Sequence, residues 1–358
     1  MLVSKSITAE RSLAASPFPP NGQSLGAFRR ALLRWYDHHH RHLPWRETRD
    51  PYRIWLSEIM LQQTRVAAVL EHYRIFLQRF PNIQSLAAAS EDTVLSAWSG
   101  LGYYRRARML HRCAQRIAKQ HGGCFPPDSK ALIALPGIGR YTAAAIASIA
   151  FDEPVAVVDG NVERVLQRLL GKERTAIALT TPQTWQLAQE LLATSRPGDF
   201  NQAMMELGAT VCVPGEPRCA FCPVRKWCGT IAQENGAPSA RGMLKPPSAP
   251  PIKKKLWCWL SLRNGDIRLV QRPREASLMP GMWELPQSAE APPAWKTASH
   301  WRTFRHSITI TNYTVHVLRN IRADHSATPR GKWIALDSVS QLPITGLTRK
   351  ILKADGII

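Results

Sequence analysis

The chain has 358 residues, of which 44% are hydrophobic, so it is long enough for two globular domains and too apolar to be intrinsically disordered. It carries 47 basic and 26 acidic residues, and the resulting net charge of +21 indicates a polyanionic partner such as nucleic acid. The sequence has no apolar run of membrane-spanning length, and its seven cysteines favour metal binding or catalysis over disulfides.

Four segments of different character divide the chain. Residues 25–235 repeat apolar side chains at helical spacing, whereas the prolines and serines of residues 236–252 follow no period. Short β-branched and aromatic runs come after them. We therefore predict a disordered lead-in (1–24), a mainly α-helical domain (25–235), a linker (236–252) and an α/β domain (253–358).

An early helix carries the first candidate for chemistry. It is predicted to begin at Pro51, because proline suits the first helical position. Glu58 lies on this helix, with Ile54, Trp55 and Leu61 three or four residues away on the same face. A carboxyl group among apolar side chains is desolvated, which raises its pKa and suits a general acid near neutral pH. The alternative is a solvated surface glutamate.

Residues 135–144 (Leu-Pro-Gly-Ile-Gly-Arg-Tyr-Thr-Ala-Ala) lie between two predicted helices. Gly137 and Gly139 flank the apolar Ile138 and allow a tight turn with positive φ. Such a turn presents consecutive backbone N–H groups at the start of a helix, where a phosphate can bind. In a chain this basic, we interpret the turn as a hairpin that holds a nucleic-acid backbone.

A second carboxylate follows a short apolar run. Asp159 comes directly after residues 155–158 and before Gly160. It either caps the helix that follows or presents its carboxylate to a substrate from the end of a buried segment. The two roles are compatible.

Four cysteines lie within 17 residues. Cys212, Cys219, Cys222 and Cys228 have the spacing C-x6-C-x2-C-x5-C. Four thiolates this close can surround one metal centre, either a [4Fe–4S] cluster or a structural zinc ion. The single CxxC pair disfavours a zinc ribbon, which usually has two. The other three cysteines are isolated, and we expect them to be packing residues.

The α/β domain is predicted from short runs. Residues 256–260, 267–270 and 307–311 are β-branched or aromatic and indicate strands, and residues 347–353 indicate a helix.

Together these motifs resemble a known superfamily. The cysteine spacing and the glycine hairpin are similar to the iron–sulfur loop and helix–hairpin–helix of the endonuclease III superfamily of DNA glycosylases. Segments 43–46, 55–64, 100–108 and 200–208 resemble, more specifically, the MutY-type adenine DNA glycosylases. The resemblance covers about residues 30–230. It implies a two-lobed helix–hairpin–helix glycosylase domain with a [4Fe–4S] cluster in loop 212–228.

The resemblance also implies individual roles. Glu58 would protonate the flipped adenine at N7, and Asp159 would stabilise the oxocarbenium charge of the sugar, directly or through a transient covalent bond. Tyr141 stands where bifunctional members carry a nucleophilic lysine, which implies base removal without strand cleavage. The residues implied to contact DNA are Trp45, Arg46 and Gln202 in the adenine pocket, and Gln63 and Tyr103 beside the oxidised guanine.

The α/β domain carries a resemblance of its own. Residues 271–286 resemble the MutT-like C-terminal domain of the same enzymes, which has the Nudix fold. No Nudix box with magnesium-binding glutamates follows, so we expect lesion recognition rather than nucleotide hydrolysis. The Phe-Ser-His loop that reads 8-oxoguanine in the family aligns with Phe304, Arg305 and His306. Arginine cannot accept a hydrogen bond, but it can pair with a phosphate or read a base edge.

We therefore expect a monofunctional glycosylase that removes adenine opposite 8-oxoguanine or guanine in double-stranded DNA. The alternatives are an endonuclease III-like pyrimidine-lesion glycosylase/lyase, a DNA-scanning module without chemistry, and a nucleotide pyrophosphohydrolase. Tyr141 disfavours the glycosylase/lyase. The pair of carboxylates disfavours a scanning module without chemistry, and the missing Nudix box disfavours the pyrophosphohydrolase. We expect a monomer that contacts no membrane and is cytoplasmic and nucleoid-associated.

Overall fold

A computed structural model describes residues 18, 20–171, 179–233, 250–291, 300–319 and 331–358. Most of the predicted lead-in and most of the predicted linker lie outside the described residues. The chain forms two compact units, each built from two segments. The first unit comprises Met1–Ile59 and Cys124–Pro246, and the second comprises Met60–Gly123 and Pro247–Ile358.

The predicted α-helical part is helical within the described residues. Two single 3-10 turns, Cys219–Phe221 and Arg225–Trp227, precede the last of its helices. The helices are α1 (Gly22–His39), α2 (Pro51–Leu61), α3 (Val66–Arg79), α4 (Ile83–Ala88), α5 (Glu91–Trp98), α6 (Arg105–Gln120), α7 (Ser129–Ile133), α8 (Arg140–Phe151), α9 (Gly160–Leu170), α10 (Thr181–Leu191), α11 (Pro197–Thr210) and α12 (Gly229–Gln233).

The core of the first unit forms where α1, α9 and α11 pack together. Phe28 from α1 and Phe200 from α11 are both buried, with ring centroids 6.5 Å apart. Trp227 meets Phe28 edge-on at 5.5 Å, so the end of the cysteine segment joins the same core. This packing fixes the N-terminus of α9 and the first turns of α11, which carry candidate site residues.

The second unit begins with helices α3 to α6. The apolar face of α6 repeats at helical spacing through Leu110, Cys113, Ala114 and Ile117, all of which are buried. Cys113 is therefore a packing residue, as predicted, and Cys258 is buried as well, but the prediction is wrong for Cys124, which is exposed.

The α/β region, which belongs to the second unit, contains two small sheets within the described residues. The elements are β1 (Ile252–Leu260), β2 (Leu262–Arg263), β3 (Asp266–Gln271), β4 (Trp283–Glu284), β5 (Gln287–Ser288), β6 (His300–Ile308), β7 (Thr311–Arg319), β8 (Lys332–Ala335), α13 (Leu336–Val339) and α14 (Gly346–Ala354). In the first sheet, the strand order is β5-β1-β7-β6, with β1 parallel to β7 and the other pairs antiparallel. In the second sheet, β2, β3 and β4 follow in order and β8 also pairs with β3.

The core of this region confirms the predicted α/β architecture. Val315 and Val317 of β7 are fully buried and share a cluster with Leu269 of β3 and Ile351 of α14. The predicted helix at 347–353 is confirmed, since α14 spans those residues and Thr345 caps its N-terminus.

One predicted strand is wrong. Residues 307–311 contain a hairpin turn, because β6 ends at Ile308 and β7 begins at Thr311. The turn includes Thr309, whose φ is +54°. Threonine and isoleucine favour strands, so their side chains concealed a left-handed turn that glycine or asparagine would have signalled.

None of the helices in the described part of the chain has the length and apolarity that a membrane crossing requires.

Candidate active site

Glu58 is a buried carboxyl group in the first unit. Its residue exposure is 7%, and Tyr141 Oη donates a 2.6 Å hydrogen bond to Glu58 Oε2. Burial raises the pKa of Glu58 to about 7, and the charge of Asp159 acts in the same direction. The hydrogen bond from Tyr141 and the charge of Arg46 oppose this shift. Glu58 therefore holds or releases a proton in the neutral range, as an acid catalyst must.

Tyr141 lies in the first turn of α8, directly after the glycine hairpin. Its hydroxyl also lies 3.4 Å from Met205 Sδ. Burial and the nearby carboxylates of Glu58 and Asp159 hold the pKa of Tyr141 well above its usual value. At neutral pH this hydroxyl is therefore a hydrogen-bond donor rather than a base.

Asp159 caps α9, as one of the two sequence interpretations required. One carboxylate oxygen accepts hydrogen bonds from the backbone N–H groups of Asn161 and Val162, at 2.9 and 2.8 Å. The other accepts from Asn161 Nδ2 at 2.9 Å. Three donors fix the carboxylate in one orientation, and its charge contributes to the raised pKa of Glu58.

Two residues of α11 that sequence reasoning left without a role position Asp159. Asn201 accepts from Val157 N at 3.1 Å and donates to Val155 O at 2.9 Å, which holds the extended segment before Asp159. A Cβ at Gly208 would lie 2.7 Å from Asn161 Cβ, so only glycine lets α11 approach the start of α9 this closely. Both residues fall within segment 200–208, whose resemblance to the MutY-type glycosylases was the sequence signal that could have identified them.

Glu206 is a further site residue to which the sequence motifs gave no role. Its side chain is fully buried, and it binds Arg41 through both carboxylate oxygens at 2.7 Å and Arg46 Nη2 at 2.7 Å. Burial would raise the pKa of Glu206, but the two arginines prevail and lower it to about 2. Arg46, 9% exposed, also lies over the Tyr36 ring at 5.6 Å. Glu206 thus holds Arg46, one of the charges that act on Glu58.

The other two predicted adenine-pocket residues are also buried in the first unit. Trp45 and Gln202 are 6% and 8% exposed. Trp45 lies in the turn that closes when Arg46 N donates to Leu43 O at 2.8 Å. Gln202 follows Asn201 on α11. Their assignment to a base pocket stays a prediction.

The glycine hairpin connects α7 to α8. Gly137 has φ +75°, as predicted, whereas Gly139 has φ −91° and no strain that requires glycine. A Cβ at Gly139 would meet no atom within 4 Å, so the space in front of the turn is open. Ile138 is buried and anchors the turn. Because Gly139 caps α8 without a side chain, the first N–H groups of the helix are left for an external acceptor.

Gln63 and Tyr103 lie in the second unit, and both have left-handed backbones, with φ of +58° and +48°. Tyr103 is 54% exposed. The guanidinium of Arg106 donates to carbonyls of both loops, including Gln62 O and Gly102 O, and lies 5.3 Å from the Tyr103 ring. Strained residues on two braced loops are typical of functional contacts.

The three residues predicted to read the lesion lie on β6. Phe304 is 7% exposed and packs into the core, so its side chain serves the sheet. Arg305 points to the opposite face and is exposed, and its carbonyl accepts a 2.8 Å hydrogen bond from Lys350 Nζ. His306 is half-buried, and burial lowers its pKa, with the charge of Lys350 adding to the effect.

The four clustered cysteines form no disulfide and lie close enough to influence one another. Burial raises the pKa of Cys222 to about 12, and the other three thiols act in the same direction. Arg168 Nη1 lies 3.4 Å from Cys212 Sγ. This donor set suits an anionic four-sulfur centre. In the described part of the chain, no three His, Cys, Asp or Glu side chains are already arranged to hold a metal ion.

A buried acid, a helix-capping aspartate and a glycine hairpin between two helices are the features of a helix–hairpin–helix protein. The family model described as HhH-GPD superfamily base excision DNA repair protein matches residues 56–192. A thermostable thymine-DNA glycosylase is 30% identical, with a TM-score of 0.54, and the match covers 97% of that chain and 58% of this one. The chain belongs to the HhH-GPD superfamily of base excision DNA repair proteins.

Curated relatives narrow the comparison. The mouse adenine DNA glycosylase is 44% identical over 280 residues, covering 75% of this chain and 52% of the relative. The human adenine DNA glycosylase is 40% identical over 313 residues, covering 73% and 57%. The chain spans about half the length of the curated relatives it matches. An endonuclease III–DNA covalent intermediate, at 21% identity and a TM-score of 0.51, shares the fold over 60% of this chain.

Proposed function

We propose that the chain is a monofunctional DNA glycosylase that hydrolyses the N-glycosidic bond of adenine mispaired with 8-oxoguanine or guanine. The observation that carries this proposal is the pair of carboxyl groups. The pKa of Glu58 is raised to about 7 by burial and by the charge of Asp159, which three hydrogen bonds hold in place. Adenine-specific relatives at 40 to 44% identity support the choice of base.

The two acids divide the reaction. Protonated Glu58 donates to N7 of the flipped adenine, which makes the base a neutral leaving group. Asp159 faces the positive charge that develops on the sugar as the bond breaks, and water completes the hydrolysis. Tyr141 donates to Glu58 and orients it. Trp45, Arg46 and Gln202 enclose the base, and Gln63 and Tyr103 fill the space that the flipped nucleotide leaves.

The chemistry stops at base removal because no amine nucleophile stands at position 141. A lysine there would form a Schiff base with the sugar and then cleave the strand. Tyrosine, whose pKa is raised by burial, cannot do so. This argues against the second candidate, an endonuclease III-like pyrimidine-lesion glycosylase/lyase.

Cys212, Cys219, Cys222 and Cys228 hold a [4Fe–4S] cluster in this proposal. The cluster supplies structure, because four sulfur ligands cross-link a loop too short to have a core of its own. Arg218, Arg225 and Lys226 on that loop then face phosphate. Iron and sulfide analysis of the purified protein tests the assignment: four of each per chain are expected, and zinc in their place would refute it.

The C-terminal α/β domain completes the proposal as a Nudix-like module that reads the lesion without hydrolysing nucleotides. Phe304 supports the sheet and His306 approaches the base opposite adenine, while Arg305 projects from the other face of the strand. The protein acts as a monomer on double-stranded DNA in the nucleoid.

The decisive assay uses a duplex with a single adenine opposite 8-oxoguanine. Strand cleavage that depends on subsequent alkali is expected, and Glu58→Gln should abolish it without weakening duplex binding. Glu71→Gln, on the exposed face of α3, is the matched control and should retain activity. Cleavage without alkali, or activity on an oxidised pyrimidine but not on adenine, would overturn the proposal.

A further inference from the structure

The outer face of the first C-terminal sheet carries an ordered array of cations and polar donors. Phe304, Val315 and Leu256 form a row that faces the core. The opposite face is buried where Trp257 and Trp259 lie, but its residues nearer the β6–β7 turn are mostly exposed. The first outward row is Lys255 on β1, Thr314 on β7 and Arg305 on β6.

The next outward row repeats this composition. It consists of Lys253, Asn312 and Ser307, paired across the same three strands. Ser307 Oγ donates to Asn312 Oδ1 at 2.7 Å. Five of the six side chains in the two rows are exposed, Thr314 is half-buried, and none is acidic. The rows form a surface about 10 Å wide, given the usual spacing of strands.

We propose that this surface, Lys253, Lys255, Arg305, Ser307, Asn312 and Thr314, binds the phosphate backbone of duplex DNA. The inference rests on the proposed function, since it assumes that duplex DNA is the substrate. Lys, Arg, Ser, Thr and Asn are the side chains that contact phosphate and sugar in protein–DNA complexes. A sheet face of this composition fixes the position of a domain on DNA without reading sequence.

Charge complementarity favours DNA over other occupants of this face. The three cations project from a rigid sheet within a chain of net charge +21, so the site adds to a field that already attracts a polyanion. The surface also explains the arginine that replaces the family's serine. Arg305 adds a third cation to the row, where a serine would add only a hydroxyl group.

The competing explanation is that the lysines protect a strand edge from aggregation. β5 pairs with β1 only at Trp257 and Cys258, so Lys253 and Lys255 lie beyond that pairing. Lysines are common on such edges. Edge protection, however, does not require polar donors on β7, which is an interior strand of the sheet, and the two explanations predict different measurements.

The test measures equilibrium binding of the full-length protein to an undamaged duplex over a range of salt concentrations. Lys253→Gln/Lys255→Gln is expected to weaken binding about tenfold and to reduce the slope of log affinity against log salt by about 2, because each lost phosphate contact removes about 0.9. Adding Arg305→Gln should lower the slope by about 1 more. The matched control, Lys119→Gln/Lys353→Gln, removes the same charge from α6 and α14 and should keep the wild-type slope.

Equal effects in the two double variants would overturn the proposal, because they would reflect net charge alone. Unchanged affinity with new self-association would overturn it in favour of edge protection. The binding assay needs no catalysis, so failure of the proposed function is separable. If the salt slope depends on the lysines but no adenine is released, the DNA-binding surface is supported and the proposed glycosylase function is refuted.

Discussion

The acid at the centre of the site is governed by a balance between solvent exclusion and one hydrogen bond. Burial alone favours the neutral form of Glu58, while Tyr141 stabilises the ionised form by donating to it. The outcome, a pKa of about 7, keeps a useful fraction of the acid protonated at neutral pH. Removing the Tyr141 hydroxyl should therefore raise the pKa of Glu58.

Tyr141→Phe tests this balance. The wild-type rate of base release should fall as pH rises through about 7, because Glu58 loses the proton that it must donate. Without the tyrosine hydroxyl, the pKa of Glu58 rises, and this decline should move to higher pH. Single-turnover rates between pH 5 and 9 measure the shift.

A tyrosine outside the site provides the control for this experiment. Tyr313→Phe on β7 removes the same hydroxyl from the second unit and should leave the pH profile unchanged. A Tyr141→Phe profile that coincides with the wild-type profile would show that another group sets the decline.

At the scale of elements, Glu206 ties α11 to the segment after α1. Breaking a buried pair by removing one partner leaves charges uncompensated and costs about 3 to 5 kcal/mol. Glu206→Gln should therefore lower the free energy of unfolding by about 3 kcal/mol at pH 7, as measured by urea denaturation. Asp37→Asn removes the half-exposed partner of Arg196 and should cost less than about 1 kcal/mol.

The same pair sets a pH dependence. The pKa of Glu206 is lowered to about 2 in the folded protein, so its stabilisation is complete above the unfolded value of 4.5. It is lost as pH falls from there toward 2. The difference between wild type and Glu206→Gln should consequently shrink below pH 4; a difference that stays constant to pH 3 would contradict the assignment.

The loop before α6 stores strain that a pair of substitutions can reveal. A left-handed non-glycine residue costs about 1 to 2 kcal/mol, so Tyr103→Gly should be more stable than Tyr103→Ala by about 1 kcal/mol. Both variants should lose glycosylase activity with the ring. At Arg105, in the first turn of α6, glycine should instead be the less stable of the pair. If the glycine variant were the less stable of the pair at both positions, strain at Tyr103 would be excluded.

Elements with local signals were predictable from sequence, and those that depend on distant partners were not. Pro51 began a helix as predicted, and Asp159 caps another, because each depends only on its neighbours in the chain. Glu206 gave no local sign of its role, since a helical glutamate is usually solvated and its arginines lie about 160 residues away. The strand prediction for residues 307–311 was wrong for a related reason. Pairing between β6 and β7 places a turn at Thr309 and overrides the strand preference of its residues.

At the scale of the whole molecule, the proposed DNA complex involves two physically different kinds of contact. Lysines and arginines displace counterions, and their contribution falls with added salt. The N–H groups at the hairpin carry no net charge, so in this proposal they add affinity without adding to the salt dependence. These contributions are separable because Gly139, unlike Gly137, has an ordinary backbone conformation.

Gly139→Ala makes the separation measurable. Alanine can adopt the φ of −91°, and its methyl group would meet no protein atom within 4 Å, so the substitution introduces no strain. The melting temperature should therefore change by less than about 1 °C. The methyl group does occupy the space in front of the first turn of α8, where a phosphate would approach. We expect at least a tenfold loss of duplex affinity, with the wild-type salt slope retained because no cation is lost. A reduced slope would place a charged contact at the hairpin, and unchanged affinity would remove the hairpin from the DNA interface.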